Sequence, residues 1–217
     1  MYVPNMMDDE AHARIHARQG QGKRVPGRIL HVAWQCKEKG SFDLIRAMAH
    51  SKAATSCHMV GVVAPENHQL MQSEIESLGL AGRVTLTGPL YGEDLAREFE
   101  EASAFVLPTH REGPEGFPMV VLEAMMYGVP VVANNVGNIE EMLTGDNAKP
   151  AGRLLDQVDP VDPGELAMKI DELLLSSSEA ERLGRNGRER VQDEYLASHV
   201  VPNLVALLEG IVGTSGT

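Results

Sequence analysis

The stretch of residues 104–133 limits the possible folds of this chain more than any other part. An apolar, β-branched run at residues 104–107 predicts a buried strand, and a loop rich in glycine and proline follows it. The apolar run 119–126 predicts a helix, and residues 131–133 predict a second buried strand. This order indicates a parallel sheet, because the chain crosses back through a helix before it forms the next strand.

The rest of the chain repeats this alternation. Further strands are predicted at residues 28–34, 57–64, 84–87 and 153–155, and further helices at residues 11–18, 40–50, 66–78, 93–102, 139–143, 163–175, 180–195 and 200–211. The third of these helices is predicted to bury one face, formed by Leu70, Met71, Ile75 and Leu78. The fold class predicted is α/β: a Rossmann-like, doubly wound parallel sheet of about six strands, with ligands at the carboxyl ends of the strands.

Charge and apolar pattern exclude several classes of function. The net charge of −12 argues against nucleic acid as a partner, because phosphate backbones are bound by clustered Lys and Arg. No apolar run approaches the ~20 residues of a membrane span, and no signal peptide opens the chain. Cys36 and Cys57 show neither metal-site nor disulfide spacing, so both are predicted to be reduced and buried in a cytoplasmic chain. No G-x-G-x-x-G motif opens the first crossover, which argues against NAD or FAD.

The loop before the helix at 119–126 is a candidate phosphate site. The first N–H groups of a helix have no intrahelical partner, and the helix dipole places about half a positive charge there. Gly116 allows the backbone to approach a ligand closely, and Pro118 suits a first helical turn because its missing N–H costs nothing there.

Two carboxylates bracket this turn. Glu115 lies in the loop and Glu123 lies about one and a half turns into the helix, with seven residues between them. A carboxylate can accept paired hydrogen bonds from neighbouring hydroxyls, so this pair is suited to a ribose or a hexose beside a bound phosphate. Either residue alone is more typical of a solvated charge. Glu112 is a rival for the first position. His110 is a candidate for lining the ligand pocket, but the preferred prediction is a solvated loop residue.

The segment EGFPMVVLEAMMYGVPVVA, residues 115–133, resembles the E-x7-E segment in the C-terminal domain of group 1 glycosyltransferases of the GT-B fold. The resemblance implies that Glu115 faces the donor sugar, that Glu123 holds the nucleotide ribose, and that backbone N–H groups between them meet the diphosphate. The stretch so implied comprises Gly116, Phe117, Pro118, Met119 and Val120, in which every residue except Pro118 has an N–H to donate.

A second segment extends the resemblance to the first crossover. Glu38-Lys39-Gly40 matches the E-K-G of the family, which implies that Lys39 points at the donor phosphates. The family's preceding Gly-Arg is replaced by Ala33-Trp34, which removes a phosphate-binding cation; Lys37 or Arg111 is the hypothetical substitute. After the third strand, Gly88 and Leu90 correspond to the segment that meets the nucleotide base.

The resemblance implies a retaining glycosyltransferase that uses a nucleotide-sugar donor, most simply UDP- or GDP-linked, without a metal ion or other cofactor. Lys39 and the helix N-terminus would stabilise the leaving diphosphate, and Glu115 would act at the sugar. The acceptor, a sugar or a lipid-linked molecule, would be held by an N-terminal domain. Val3-Pro4-Asn5 resembles the family's V-P-N-G crossing between domains, with Met6 in place of Gly, so this domain is expected to be absent.

The expected organisation follows. Residues 1–27 form an interdomain linker with a short helix, residues 28–212 form the nucleotide-sugar-binding Rossmann-like domain, and residues 213–217 form a frayed tail. An alternative reading is a non-catalytic nucleotide-binding module, or a subunit that needs a partner chain for activity.

Overall fold

The computed structural model describes residues 4–18, 23–113, 115–145, 149–156 and 159–214. Its strands are β1 Arg28–Val32, β2 Ser56–Val60, β3 Val84–Gly88, β4 Ala104–Leu107, β5 Val131–Ala133 and β6 Gly152–Leu154. Its helices are α1 Asp9–Ala17, α2 Ser41–His50, α3 Pro65–Ser77, α4 Gly92–Glu101, α5 Met119–Met126, α6 Ile139–Thr144, α7 Pro163–Leu174, α8 Ser177–Arg190 and α9 Ala197–Thr214. The π-helical turn Val191–Tyr195 follows directly on α8.

The strands form one six-stranded sheet in the order β3-β2-β1-β4-β5-β6. Every pairing between neighbouring strands is parallel. This confirms the predicted doubly wound fold. The order reverses between β1 and β4, and at such a switch point the loops at the carboxyl ends of the two strands diverge and leave a crevice.

Adjacent strand residues bury opposite faces of the sheet. Leu30 and Phe105 pack into one apolar cluster with α5 and the π-helical turn. Their neighbours Ile29 and Val106 pack into a second cluster with α2, α3 and α7. Successive side chains of a strand point to opposite faces, so a sheet covered on both sides has strands that are apolar throughout, as β4 is.

Most predicted bounds outside the central unit differ from the structure by a few residues; β1 and β2, for example, end at Val32 and Val60 rather than at residues 34 and 64. The first helix begins earlier than expected, at Asp9, because the Asp8 carboxylate accepts hydrogen bonds from the N–H groups of Glu10 and Ala11, at 3.4 and 3.1 Å. The last helix continues to Thr214, so the first two residues of the expected tail are helical, and residues 215–217 lie outside the described part.

Of the four residues predicted to form the buried face of α3, two are buried and two are exposed. Met71 and Ile75 are buried, whereas Leu70 and Leu78 are 59% and 40% exposed. The helix lies at the β3 side of the sheet, where a narrow contact covers only the row that contains Met71 and Ile75. Within the described ranges, no helix combines the length and the apolar character that crossing a membrane requires.

Candidate functional site

The loops after β1 and β4 meet at the switch point of the sheet. Gly40, with φ +70°, lies so close to Pro108 that an added Cβ would overlap the Pro108 carbonyl. The N–H of His110 donates to the carbonyl oxygen of Glu38 at 2.9 Å. The structure therefore brings together the two segments that were singled out in the sequence, although some 70 residues separate them.

Lys39 and Glu115 form an ion pair across this contact, between the Lys39 Nζ and the Glu115 Oε1. The side chains are only 16% and 6% exposed, respectively. The Thr109 hydroxyl donates to the same carboxylate oxygen at 3.4 Å, and the Asn134 amide donates to the Thr109 carbonyl at 2.9 Å. Thr109 and Asn134 are both buried, and they position Glu115 as supporting residues that sequence reasoning missed.

The N-terminus of α5 faces the same crevice without a capping side chain. Pro118 occupies the N-cap position, and no side chain within the described ranges accepts a hydrogen bond from the first turn. Gly116 and Met119 are exposed, Phe117 and Val120 are half-buried. A Cβ added at Gly116 would meet nothing within 4 Å, so the space in front of this backbone is open. These features match what an anion site at a helix N-terminus requires.

Gly137 packs against the backbone of the loop that precedes α5. A Cβ added there would overlap the carbonyl oxygens of Glu115 and Gly116, and the residue has φ +58°. The N–H of the next residue, Asn138, donates to the Gly116 carbonyl at 2.8 Å. The loop after β5 thus fixes the position of the backbone at Glu115 and Gly116, which belongs to the candidate phosphate site.

Glu123 differs from Glu115 in that no described residue pairs with its carboxylate. It lies in the second turn of α5 and is half-buried, and burial raises the pKa of its carboxyl above the ordinary value. Within the described part of the chain, its carboxylate has neither a hydrogen bond nor an ion pair. A half-buried carboxylate in this state can accept hydrogen bonds from the hydroxyls of a ligand.

Gly88 and Leu90 lie farther along the same edge. Gly88 ends β3 with φ +74° and has open space around it, while Leu90 packs partly against the apolar cluster of α4 and α5. Three strand steps separate β3 from β4, about 14 Å at the usual strand spacing. By the same spacing, the end of β3 lies about 10 Å from the end of β1, which Lys39 follows.

The residue predicted to replace the family's Arg, and the two residues proposed as substitutes for it, lie on the loops after β1 and β4. Trp34, predicted to stand where the family has Arg, is 60% exposed beside the end of β1. Lys37 and Arg111 are exposed, one on each of the two facing loops. Glu112, the rival for the first carboxylate, is exposed as well, whereas Glu115 is the residue that Lys39 contacts.

The prediction that His110 is a solvated loop residue is wrong. Its side chain is 15% exposed, and its Nε2 lies 2.6 Å from the Asp43 Oδ2. Its Nδ1 lies 3.8 Å from the Asp159 carboxylate. The contact with Asp43, a buried residue of α2, fastens the loop after β4 to the helix after β1. No pattern in the sequence indicates this pairing.

The two cysteines are free thiols. Cys57 is buried, and burial raises the pKa of its thiol; Cys36 is half-buried, and burial raises the pKa of its thiol as well. Within the described ranges, no group of three or more His, Cys, Asp or Glu side chains is arranged to hold a metal ion. The metal independence expected from the sequence stays a prediction.

Comparison with known proteins places this geometry in context. The family model described as "Glycosyl transferases group 1" matches residues 16–190. The MMP alpha-(1->4)-mannosyltransferase of Mycolicibacterium hassiacum is 30% identical over 86% of this chain and 44% of its own length. The GDP-mannose-dependent alpha-(1-6)-phosphatidylinositol monomannoside mannosyltransferase of Mycolicibacterium smegmatis is 27% identical over 94% of this chain and 52% of its own length.

A solved structure shows the same fold. The sucrose-phosphate synthase of Thermosynechococcus elongatus superposes with a TM-score of 0.76 and 26% identity, over 98% of this chain and 52% of that chain. The chain thus spans about half the length of the relatives that it matches. The described fold corresponds to one domain of a GT-B glycosyltransferase.

Proposed function

Because the chain belongs to the group 1 glycosyltransferases, we propose that it is a donor-binding domain, which holds a nucleotide sugar for retaining transfer of the glycosyl group to an acceptor hydroxyl. The observation that carries this proposal is the meeting of Lys39 and Glu115 in front of the uncapped α5 N-terminus. A cation, helix N–H groups and a carboxylate at one switch point are what a diphosphate with an attached sugar needs.

Each group has a proposed role in the transfer. The bond between the anomeric carbon and the diphosphate oxygen breaks, the bond to the acceptor oxygen forms, and the acceptor proton leaves with the diphosphate. Lys39 and the N–H groups around residues 116–120 stabilise the negative charge that grows on the leaving diphosphate. A lysine ammonium has three N–H donors, so Lys39 can reach a phosphate oxygen while it still contacts Glu115.

The two carboxylates bind different parts of the donor in this proposal. Glu115, held by Lys39 and Thr109, binds the hydroxyls of the donor sugar or stabilises the positive charge at the anomeric carbon. Glu123, which has no partner in the described part of the chain, accepts hydrogen bonds from the ribose hydroxyls. Gly88 and Leu90, about 14 Å along the edge, would then face the nucleotide base.

The donor class rests on the relatives. The smegmatis relative is named for its dependence on GDP-mannose, which supports a GDP-linked donor, and a UDP-linked donor stays the alternative. The acceptor is a sugar or lipid-linked hydroxyl held by a further domain, since the relatives are about twice as long as this chain. We propose a cytoplasmic location, and no cofactor beyond the donor.

A second candidate function is a non-catalytic nucleotide-binding module, or a subunit that acts only with a partner chain. It is favoured by Trp34, which is exposed at the position where the family has a phosphate-binding Arg. Glycosyl transfer that requires a second polypeptide would support the subunit, and nucleotide binding without any transfer would support the module.

Calorimetric titration with UDP, GDP and ADP tests the proposed function. One nucleotide is expected to bind the wild type, and Glu123→Ala is expected to weaken binding by about 1–3 kcal/mol, because charge-assisted hydrogen bonds to the ribose are lost. Glu112→Ala, which removes an exposed loop carboxylate, is the matched control and should leave affinity unchanged.

Two outcomes would count against the donor site. Failure of all three nucleotides to bind would contradict it, and equal losses in the Glu112 and Glu123 variants would remove the assigned role of Glu123. Lys37→Ala and Arg111→Ala in the same titration test whether either residue replaces the missing Arg. Unchanged affinity in both variants would refute that hypothesis.

A further inference from the structure

A second cavity, of about 510 Å³, lies on the side of the sheet away from the donor site. Gly27, Ser103 and Pro130 line it, and these residues immediately precede β1, β4 and β5. The cavity therefore opens at the amino ends of the strands, whereas Lys39 and Glu115 lie beyond the carboxyl ends. The α7–α8 pair closes its outer side.

Three arginines converge on this cavity. Arg24 comes from the segment before β1, and Arg185 and Arg188 come from α8. The Arg24 guanidinium donates to the carbonyl oxygens of Phe99, Ala102 and Tyr127 at 2.7–2.8 Å. Arg188 also donates to the Tyr127 carbonyl, at 3.3 Å. Arg24 and Arg188 thus bring two positive charges to one acceptor at the end of α5.

The positive charge of the cavity is only partly balanced. In the described residues, no carboxylate lies within 4 Å of the Arg24, Arg185 or Arg188 guanidinium. Burial, and then the charge of Arg188, lowers the pKa of Arg24 to about 10, while the charge of Glu100 acts in the opposite direction. Glu181 also lines the cavity, but it is exposed and forms no ion pair with a described residue. A bound anion would relieve the repulsion that these guanidinium groups exert on one another.

The apolar residues that line the rest of the cavity indicate the chemical character of the part of the ligand that does not carry the negative charge. Pro26, Pro130, Leu173, Leu174 and Ala180 form an apolar wall beside the cations. The cavity volume lies in the range of small-molecule sites, and guanidinium groups match the geometry of phosphate oxygens. We propose that this cavity is a second ligand site, which binds an organic phosphate through Arg24, Arg185 and Arg188 and packs its organic part against the apolar wall.

Phenyl phosphate is a suitable probe, because it combines a phosphate with a small apolar body. Its affinity is measured by calorimetric titration of the full chain, with and without saturating GDP. Arg185→Ala is the informative variant, since this exposed side chain forms no hydrogen bond or ion pair with described residues and its loss spares the fold. Affinity is expected to fall about tenfold, because a charge-assisted hydrogen bond is lost.

Two further variants test whether phenyl phosphate binds in this cavity. Glu181→Gln removes the carboxylate of the cavity and is expected to raise affinity about twofold. Arg97→Ala removes an exposed arginine of α4 that does not line the cavity, and it is expected to change nothing.

Four outcomes would overturn the proposal. They are no binding to the wild type, unchanged affinity in Arg185→Ala, displacement of phenyl phosphate by GDP that is lost in Glu123→Ala, and binding only to vesicles that contain phosphatidic acid. Displacement that depends on Glu123 would assign the probe to the donor site. Because the Glu123 variant tests the carboxyl edge and the Arg185 variant tests the amino edge, failure here leaves the proposed function unaffected.

Discussion

The two edges of the sheet hold buried charge in opposite ways. At the carboxyl edge, Lys39 contacts Glu115 and His110 contacts Asp43, so charged side chains meet side chains that can carry the opposite charge. At the amino edge, Arg24 and Arg188 rest on backbone carbonyl oxygens, with no carboxylate within 4 Å in the described ranges. At the amino edge Arg28 does pair with Glu101, but the two arginines of the cavity keep positive charge that a ligand can use.

This difference has an energetic consequence. Removing one partner of a mostly buried ion pair leaves the other charge uncompensated, which is costly. Removing a cation from a helix end leaves carbonyl groups that water or a neighbouring arginine can satisfy. The carboxyl edge should therefore be sensitive to single substitutions, and the amino edge should tolerate them.

The largest contrast is expected between Gly40→Ala and Gly128→Ala, both at positive φ. At Gly40 the new Cβ overlaps the backbone of Pro108, whereas at Gly128 it overlaps the movable guanidinium of Arg188. Gly40→Ala should lower the free energy of unfolding by on the order of 4 kcal/mol, and Gly128→Ala by about 1–2 kcal/mol. Urea denaturation measures both, and equal losses would show that the edges are equally rigid.

A smaller contrast is expected between Lys39→Met and Arg188→Met. The first leaves Glu115 unpaired with a side chain that is 6% exposed, and should cost about 2–3 kcal/mol of unfolding free energy. The second removes long hydrogen bonds to the end of α5, while Arg24 still donates to Tyr127, and should cost about 1 kcal/mol or less. Denaturation curves at neutral pH measure the unfolding free energy of both variants. A larger loss for Arg188→Met than for Lys39→Met would contradict the comparison.

The smallest effect, and one of opposite sign, is expected for Glu123→Gln. Burial raises the pKa of this carboxyl from its ordinary value of 4.5, so the ionised form destabilises the folded domain at neutral pH. Glutamine should therefore raise the melting temperature of the unliganded domain while weakening nucleotide binding. The gain should shrink as the pH falls below the ordinary range, where the wild-type carboxyl is protonated in both states. A gain independent of pH would contradict this origin.

The sequence determined the central unit of the fold. The bounds of β4, α5 and β5 agree with the predicted runs at 104–107, 119–126 and 131–133. Each of these elements is a short apolar run with glycine or proline at its ends, and both signals act over a few residues. The parallel sheet follows from the alternation of strands and helices, and Lys39, Glu115 and Glu123 were predicted as site residues because each lies in a recognisable local motif.

Only the tertiary structure decided which of these residues have partners. Lys39 and Glu115 are 76 residues apart, so their ion pair depends on the strand order that places β1 beside β4. The same order buries His110 against Asp43 and leaves Leu70 of an amphipathic helix exposed. Periodicity shows which helix face is apolar, but the neighbouring elements set how much of that face is covered.

The amino edge owes its character entirely to long-range packing. Arg24 and Arg188 lie at opposite ends of the chain, and no local motif surrounds either of them. They meet at Tyr127 because α8 packs against α5. Local sequence determines which backbone forms a strand or a helix, because those hydrogen bonds are short-range. The electrostatic environment of a side chain depends on charges that only the folded sheet brings together.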